Sequence, residues 1–483
     1  MIVNQAYRFA LDPSPAQARA LTSHAGASRK AFNWALGLIK AQLDQREAEK
    51  SYGLNGDQLT PFVPWSLPGL RKRWNVAKVE VAPWWAENSK EAYASGIRNL
   101  VRGLDAWRDS KSGERKGPPV RFPRFRGKRR ETLSCTFTTG TIRVERDRRH
   151  VTLPRLGALR LHESARTLAR RLDNGTARIL SATVKRAGGR WYVSFACEVD
   201  KADRRPARPK STIGVDVGIK HLAVLSTGEV VENPRYLAGA ARRLRRAARR
   251  MSRRQGPERR CGRVGSRRWQ RAASHHARAH TRVANLRRDG LHKLTTGLAA
   301  KYGTVVVEDL NVAGMVRNRR LAKAISDCGF GTIRTMLGYK MAWNGGRLLV
   351  ADRWYPSSKT CSVCGAVKAK LPLRVRIFTC DECGLSLDRD HNAARNLAAL
   401  VSNIGAGVAV HPQPRGSNGR GADRRTRSTT GQVAMNRPPG TAFADQTGTV
   451  PPQGGTTNRV LTAAHRKITE VQLVGCPGDR RST

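Results

Sequence analysis

Two Cys-x-x-Cys pairs, Cys361/Cys364 and Cys380/Cys383, stand fifteen residues apart, a spacing at which four thiolates wrap one tetrahedral zinc ion. The segment is too short to bury a core of its own. The metal would be a structural staple, and a four-sulfur shell leaves no open position for catalysis. The reactive chemistry must lie elsewhere. Five residues past the last cysteine, Asp388-Arg389-Asp390-His391-Asn392-Ala393 opens an Ala-rich helix with carboxylates that a zinc staple does not require. Two more acids occur in apolar strands: Asp216 within Ile213-Gly214-Val215-Asp216-Val217-Gly218, and Glu308 after Thr304-Val305-Val306-Val307. An isolated carboxylate in a buried strand is costly unless it is paired or metal-bound. Carboxylates projecting from neighbouring strands and a helix are what phosphodiester hydrolysis by two divalent cations about 4 Å apart needs. Asp216, Glu308 and Asp390 are therefore the candidate catalytic residues and candidate magnesium ligands.

The charge of the chain points to the same kind of substrate. Lys plus Arg number 90 against 36 Asp plus Glu in 483 residues, a formal net charge of +54. Such a surface repels itself unless a polyanion neutralises it, and nucleic acid is the commonest polyanion with enough phosphate. Between residues 241 and 288 there are eighteen arginines and one acid, Glu258. A second basic stretch, Arg121-Phe122-Pro123-Arg124-Phe125-Arg126-Gly127-Lys128-Arg129-Arg130, interleaves two phenylalanines, so arginines can pair with phosphates while rings cover bases. Candidate nucleic-acid contacts are Arg121, Arg124, Arg126, Lys128, Arg129, Arg130, Arg242, Arg245, Arg249 and Arg253. No run of about 18 apolar residues is present, and Met1-Ile2-Val3-Asn4-Gln5 is unlike a signal peptide, so a reducing cytoplasm is the expected location. The remaining cysteines, Cys135, Cys197, Cys261, Cys328 and Cys476, are scattered and suit isolated small residues better than a disulfide framework.

The elements that must position these residues follow from local pattern. Tyr7 to Leu11 reads as a strand, and Ser14-Pro15-Ala16-Gln17 as a capped helix start. Tyr93, Ile97, Leu100, Leu104 and Trp107 alternate at four and three, the buried stripe of a second helix, and Trp84, Trp85 and Trp107 read as packing residues. Short strands follow: Thr136 to Val144, Val151 to Leu153, and Ser181 to Val184 hairpinned through Gly188-Gly189 to Trp191 to Val199. Together with the N-terminal strand they are expected to close a small β-barrel. Pro206 to Pro209 reads as a linker into a second unit. That unit holds strands at 213–218, 221–225, 229–231, 304–307 and 348–350, two basic helices broken near Gln255-Gly256-Pro257, and a helix at 333–343. Beyond Ser402 the composition turns to Gly, Thr, Pro, Arg and Gln, the texture of a disordered tail.

With their surroundings, the acids resemble the TnpB family, the OrfB-type proteins of bacterial transposons historically called transposases and related to the type V CRISPR effectors. The resemblance rests on Tyr7-Arg8-Phe9 with Pro13 and Pro15, Phe32-Asn33-Trp34, Gly214-Val215-Asp216-Val217-Gly218, and Val307-Glu308-Asp309-Leu310-Asn311. It continues through Tyr355-Pro356-Ser357-Ser358-Lys359-Thr360-Cys361 and Asp388 to Asn396, so it covers about residues 5 to 400 in order.

It implies an RNA-guided, magnesium-dependent DNA endonuclease of α+β multidomain architecture. Residues 1–205 would be a wedge-type β-barrel with a helical recognition lobe inserted at about 12–115, and 206–400 a RuvC-like, RNase H-type α/β nuclease domain with a zinc ribbon at about 355–386. Residues 401–483 would be a disordered low-complexity tail. By position Asp216, Glu308 and Asp390 match the family's metal-binding acids, while Asp309 and Asp388 are neighbours without an assigned role. The implied partners are a guide RNA from the transposon end and double-stranded target DNA, in a bacterial cytoplasm beside the nucleoid. Two other functions remain open: an RNA-guided DNA binder that does not cut, and a conventional transposase that joins strands. Gly290 departs from the family pattern, which usually has a bulkier apolar residue there.

Overall fold

The computed structural model describes residues 1–402, apart from 63, 116, 129–131, 259–262 and 373, together with the backbone of 410–412. The expected tail otherwise lies outside the described residues, as do Arg129, Arg130, Cys261 and Cys476.

Strand β1 (Ile2–Leu11) runs into helix α1 (Pro15–Ser51), which starts where the pattern requires. The Ser14 hydroxyl accepts from Gln17 N at 3.2 Å, the Gln17 side chain accepts from Ser14 N at 3.0 Å, and Pro15 fills a position whose N–H has no partner. Helices α2 (Leu67–Val81) and α3 (Lys90–Lys111) follow, each capped by a serine hydroxyl, Ser66 or Ser89. Gly96 lets α3 lie against α1, because a Cβ there would overlap the Ser28 carbonyl oxygen. Trp34, Trp74 and Tyr93 lock the bundle, with Trp74 stacked on Tyr93 at 5.0 Å between ring centroids.

Seven strands surround this bundle in sequence: β1 and then β2 (Ser134–Phe137), β3 (Arg143–Val144), β4 (His150–Leu153) and β5 (Gly157–Arg160), followed by α4 (Arg166–Asp173), β6 (Ala177–Ala187) and β7 (Arg190–Asp200). Residues 188 and 189 turn the β6–β7 hairpin with φ of 58° and 82°, values that favour glycine. Among the described residues no closed barrel forms. The strands make an antiparallel four-stranded sheet, β1-β7-β6-β2, and a three-stranded sheet, β3-β4-β5, joined to the end of β1 by an antiparallel bridge between Leu11 and Leu161. The expected single strand from Thr136 to Val144 breaks after Phe137 for a specific reason. Thr138 N and Thr139 Oγ1 both donate, at 3.0 Å, to the buried carboxylate of Glu91 on α3, and Gly140 then turns with φ of 85°. Backbone that would have continued the ladder is spent on that acid.

The second half begins with β8 (Arg208–Asp216), which starts inside the expected linker, then β9 (His221–Leu225), β10 (Val230–Glu232) and the basic helices α5 (Tyr236–Ser252) and α6 (Arg267–Lys301). It continues through β11 (Tyr302–Glu308), α7 (Val312–Met315), α8 (Ala322–Cys328), α9 (Phe330–Trp343) and β12 (Arg347–Ala351). A small ribbon, β13 (Ile377–Thr379) and β14 (Ser386–Asp388), precedes α10 (Arg389–Ala399), and β15 (Val410–Pro412) ends the described chain. The six-stranded sheet runs β10-β9-β8-β11-β12-β15, with β8, β11 and β12 parallel and the outer pairings antiparallel.

Alternation along the central strands assigns each face. Val305 and Val307 join Ile213 and Val215 under Leu298, Ile333, Met336 and Leu337 of α6 and α9, while Val306 packs with Leu349, Leu397 and Leu400 on the α10 side. A separate core draws its residues from Phe9 to Val199. Gly290 on α6 also has a structural explanation, since a Cβ there would stand 3.0 Å from the Tyr236 hydroxyl of α5.

Candidate functional site

Strand β8 ends at Asp216 and its parallel neighbour β11 ends at Glu308. The register pairs Val215 with Val307, so the two acids that follow sit level at one end of the sheet. Asp390, the second residue of α10, is brought to the same end by a close approach of helix to strand. Gly214 lies under the helix, where a Cβ would stand 2.7 Å from Ala398 N and would overlap the Ala394 carbonyl oxygen. Only glycine permits that contact.

The neighbouring acids have distinct jobs. The Asp388 carboxylate caps α10, accepting from Asp390 N at 2.9 Å and His391 N at 3.1 Å, and so fixes the turn that carries Asp390. Asp309 is held between Arg334 and Arg353, the latter at 2.6 Å.

Electrostatics separates Asp216 and Glu308 from ordinary surface carboxylates. Burial pushes the Asp216 carboxyl well above the usual carboxylate range, and the charges of Glu308, Asp390 and Asp388 add to the shift against Arg389. Burial likewise raises Glu308, opposed by a hydrogen bond donated from Ser357 Oγ and by Arg389. Arg376 Nη1 approaches Asp390 Oδ1 at 3.9 Å. Among the described residues no Lys or Arg forms an ion pair with Asp216 or Glu308. The three acids share one sheet end without closing to ligand spacing. Among the described residues, the one set of His, Cys, Asp and Glu donors all within 4.8 Å of one another is Cys361, Cys364, Cys380 and Cys383.

Those four cysteines could hold a zinc ion. Cys361 and Cys383 sulfurs are 3.6 Å apart, and Cys364 and Cys380 sulfurs 3.5 Å apart, close to the roughly 3.8 Å edge of a tetrahedron with zinc–sulfur bonds of about 2.3 Å. Both knuckles are built alike. Gly365 N donates to Cys361 O at 3.0 Å and Cys361 N to Ala366 O at 2.8 Å, and Gly384 N to Cys380 O at 3.1 Å and Cys380 N to Leu385 O at 2.8 Å. Burial would raise the Cys361 thiol, but hydrogen bonds from the N–H groups of Cys364 and Val363 and from the Cys364 and Cys383 thiols together outweigh it and bring it to about 6. Phe378, fully buried, packs with Cys361 and Cys380 as the ribbon's small core.

Helix α10 also ties the ribbon to the acids. Asn396 Nδ2 donates to Ser357 O at 2.8 Å and Thr360 O at 2.6 Å, Asn392 Nδ2 donates to Thr360 O at 2.7 Å, and Ser362 N donates to Asn392 Oδ1 at 3.0 Å. His391 Nε2 lies 3.3 Å from Ser226 O in the β9–β10 turn. Ser357, Asn392, Asn396 and Arg376 were not singled out as functional residues from sequence. The signal for the asparagines was present in their spacing of four on one helix face.

The basic residues fall in two places. Arg242, Arg245 and Arg249 lie on the exposed face of α5, with Arg253 at its C-terminal end, while Leu244 and Ala247 are turned inward, Leu244 packing on Ala279 and Val283 of α6. Arg121, Arg124 and Lys128 are exposed on the segment after α3, and Arg126 stacks on Phe32 at 3.7 Å. Asn33 clamps that segment: Arg126 N donates to Asn33 Oδ1 at 2.8 Å and Asn33 Nδ2 to Arg126 O at 3.0 Å. Phe122 packs edge-on against Trp107 at 5.0 Å, whereas Phe125 is exposed. Among the described residues no helix is long and apolar enough to cross a membrane.

Three comparisons bear on these features. Residues 194–319 match the OrfB_IS605 family model, described as "Probable transposase", and residues 330–397 match the Cas12f1-like TNB domain. Residues 1–48 match a model described as a helix-turn-helix domain, although here they form one strand and one long helix. A Mycobacterium tuberculosis protein named "Putative RNA-guided DNA endonuclease Rv2885c" is 40% identical over 459 residues, covering 90% of this chain and 96% of its own length. Proteins with the same description from Streptomyces pristinaespiralis and Escherichia coli K12 are 34% and 28% identical, over 92% and 82% of this chain and 98% and 92% of theirs. A Cas12f1 chain solved as a complex with sgRNA and target DNA aligns with a TM-score of 0.44 at 14% identity, over 82% of this chain and 99% of that one.

Proposed function

Because this chain belongs to the OrfB_IS605, TnpB-like family, we propose that it is an RNA-guided DNA endonuclease whose cutting site is Asp216, Glu308 and Asp390. The carrying observation is the arrival of these three acids at one end of the six-stranded sheet, from two central strands and the helix laid across Gly214. The sheet order, with β9 and β10 antiparallel beside three parallel strands, supports an RNase H-type, RuvC-like reading of the second half, with the ribbon inserted before α10. The first half, 1–205, would be the wedge and recognition part, and 206–400 the nuclease domain.

The donor set suits magnesium. Two adjacent, partly buried carboxylates and a third on a helix offer an all-oxygen donor set, and among the described residues no Lys or Arg forms an ion pair with Asp216 or Glu308. Bound there, Mg²⁺ would activate water and stabilise the leaving oxygen. The chain's own residues prepare the site. Ser357 orients Glu308, the Asp388 cap sets Asp390, and Gly214 sets the depth of α10. The four cysteines hold zinc as a staple. Exposed arginines on α5 and after α3 grip phosphates of guide RNA and target DNA, while base pairing reads the sequence.

Two measurements test this reading. Purified protein should carry a discrete RNA, which a conventional strand-joining transposase would not need. With that RNA and a matched DNA target, Asp216→Ala should bind as the unsubstituted protein does and not cut. Full cleavage by Asp216→Ala would overturn the site, and cleavage without RNA would overturn the guided mechanism.

A further inference from the structure

Trp354 is 84% exposed, and its surroundings hold its backbone firmly. Its N–H donates to Asp352 Oδ1 at 2.8 Å, and Tyr355 N donates to Asp352 O at 3.2 Å, which closes a tight turn. One residue before it, Arg353 grips Asp309 through both the carboxylate, at 2.6 Å, and the carbonyl, at 3.3 Å. Three residues after it, Ser357 donates to the carboxylate of Glu308. Trp354 is thus pinned between two attachments to the end of β11, and chain reach alone keeps its Cα within about 11 Å of that of Ser357. Arg334 and Arg353 pair with Asp309, and Arg376 approaches Asp390, at the same sheet end.

A tryptophan this exposed gains almost nothing from packing, so core formation does not explain it. An exposed indole on a backbone fixed beside the proposed phosphodiester-cutting site has the chemistry to stack on an unpaired base. Within a duplex both faces of each base are already covered, so the partner must be single-stranded. We propose that Trp354 is the stacking platform that positions the single-stranded DNA for cutting. This positioning role rests on the nuclease reading above, under which an opened target supplies unpaired bases next to the acids.

The test uses the full chain loaded with its guide RNA, and DNA in which 2-aminopurine replaces successive bases of the displaced strand, in buffer free of divalent cations. One or two adjacent positions should be quenched on binding to the unsubstituted protein and to Trp354→Phe, and should stay bright with Trp354→Ala. With Mg²⁺ restored, Trp354→Ala should cut about tenfold more slowly at limiting DNA, the loss of one base–aromatic stack, while Trp354→Phe stays within about threefold. The unfolding midpoint should not change, and guided binding should weaken by no more than about tenfold. The stacking role is overturned if no position is quenched, if quenching persists in Trp354→Ala, or if Trp354→Phe falls as far as Trp354→Ala. An unsubstituted complex that fails to cut would sink the nuclease reading and this proposal together. One that cuts no faster than Trp354→Ala would sink the stacking role alone.

Discussion

Gly214→Ala adds one methyl group to a place where backbone meets backbone. The new Cβ would lie 2.7 Å from Ala398 N and overlap the Ala394 carbonyl oxygen. The carbonyl overlap is the tighter of the two, and restoring an ordinary separation of about 3.5 Å there requires α10 to retreat by roughly 1.5 Å. Overpacking of this kind costs about 1–3 kcal/mol, or a fall of roughly 4–8 °C in the melting midpoint of a domain of some 200 residues at the middle of that range. The larger effect should be on chemistry. Asp390 rides on the displaced helix, and a misplacement of about 1 Å in a catalytic constellation is worth on the order of a 100-fold loss in rate. Gly297→Ala is the matched control, because Gly297 is an exposed residue of α6 whose Cβ would meet nothing within 4 Å. That substitution should stabilise the chain by about 0.5–1 kcal/mol. Scanning calorimetry on the RNA-loaded protein, with single-turnover cleavage of a matched target, reads both effects. If Gly214→Ala melts and cuts like the unsubstituted protein, the helix does not set the position of the third acid.

In metal-free buffer, the raised Asp216 carboxyl binds its proton more tightly folded than unfolded, so its ionisation destabilises the fold. Relative to Asp216→Asn, the unsubstituted protein should therefore lose stability as pH rises above the ordinary carboxylate range, and added Mg²⁺ should close the gap. Parallel melting curves with pH would refute this. Metal analysis should return one zinc per chain, and Cys364→Ser should lower it and slow cutting, since Thr360 and Ser357 link the ribbon to α10 and Glu308. Full zinc in that variant would argue against a four-cysteine site. Asn33→Ala removes both hydrogen bonds to the Arg126 backbone and should cost about 1–3 kcal/mol in unfolding free energy by denaturant titration. Reversing charge at Arg242, Arg245 and Arg249 should weaken RNA binding for all sequences alike and flatten its salt dependence, which filter binding across a salt series will show.

Local chemistry made much of this structure legible in advance. The Ser14 capping box, the Gly188-Gly189 hairpin, the apolar runs of β8 and β11 and the two cysteine knuckles each depend on residues adjacent in sequence. The end of β2 was decided at long range instead. Glu91, on a helix read only as a buried stripe, captures Thr138 and Thr139 and ends β2 early. Strand patterns carry no information about such a partner. The same limit hid Ser357, whose hydroxyl meets Glu308 across 49 residues, and Arg376 beside Asp390. By contrast, the three acids could be proposed from sequence because each stands against an apolar or helical background that does not otherwise require it.

Under the proposed site, the order of these acids along the chain also governs when the protein becomes dangerous to the cell that makes it. Asp216 and Glu308 belong to strands synthesised well before α10, and Asp390 lies 174 residues after Asp216, from 390 minus 216. At about 5–20 residues per second, the ribosome delivers the first acid roughly 10–35 s before the last. Helix α10 brings Asp390, the filling for the Gly214 gap and the asparagines that tie down the ribbon all at once. A nascent chain that has already exposed the arginines of α5 and α6 to nearby nucleic acid therefore still lacks the third acid of the proposed cutting site until α10 has emerged.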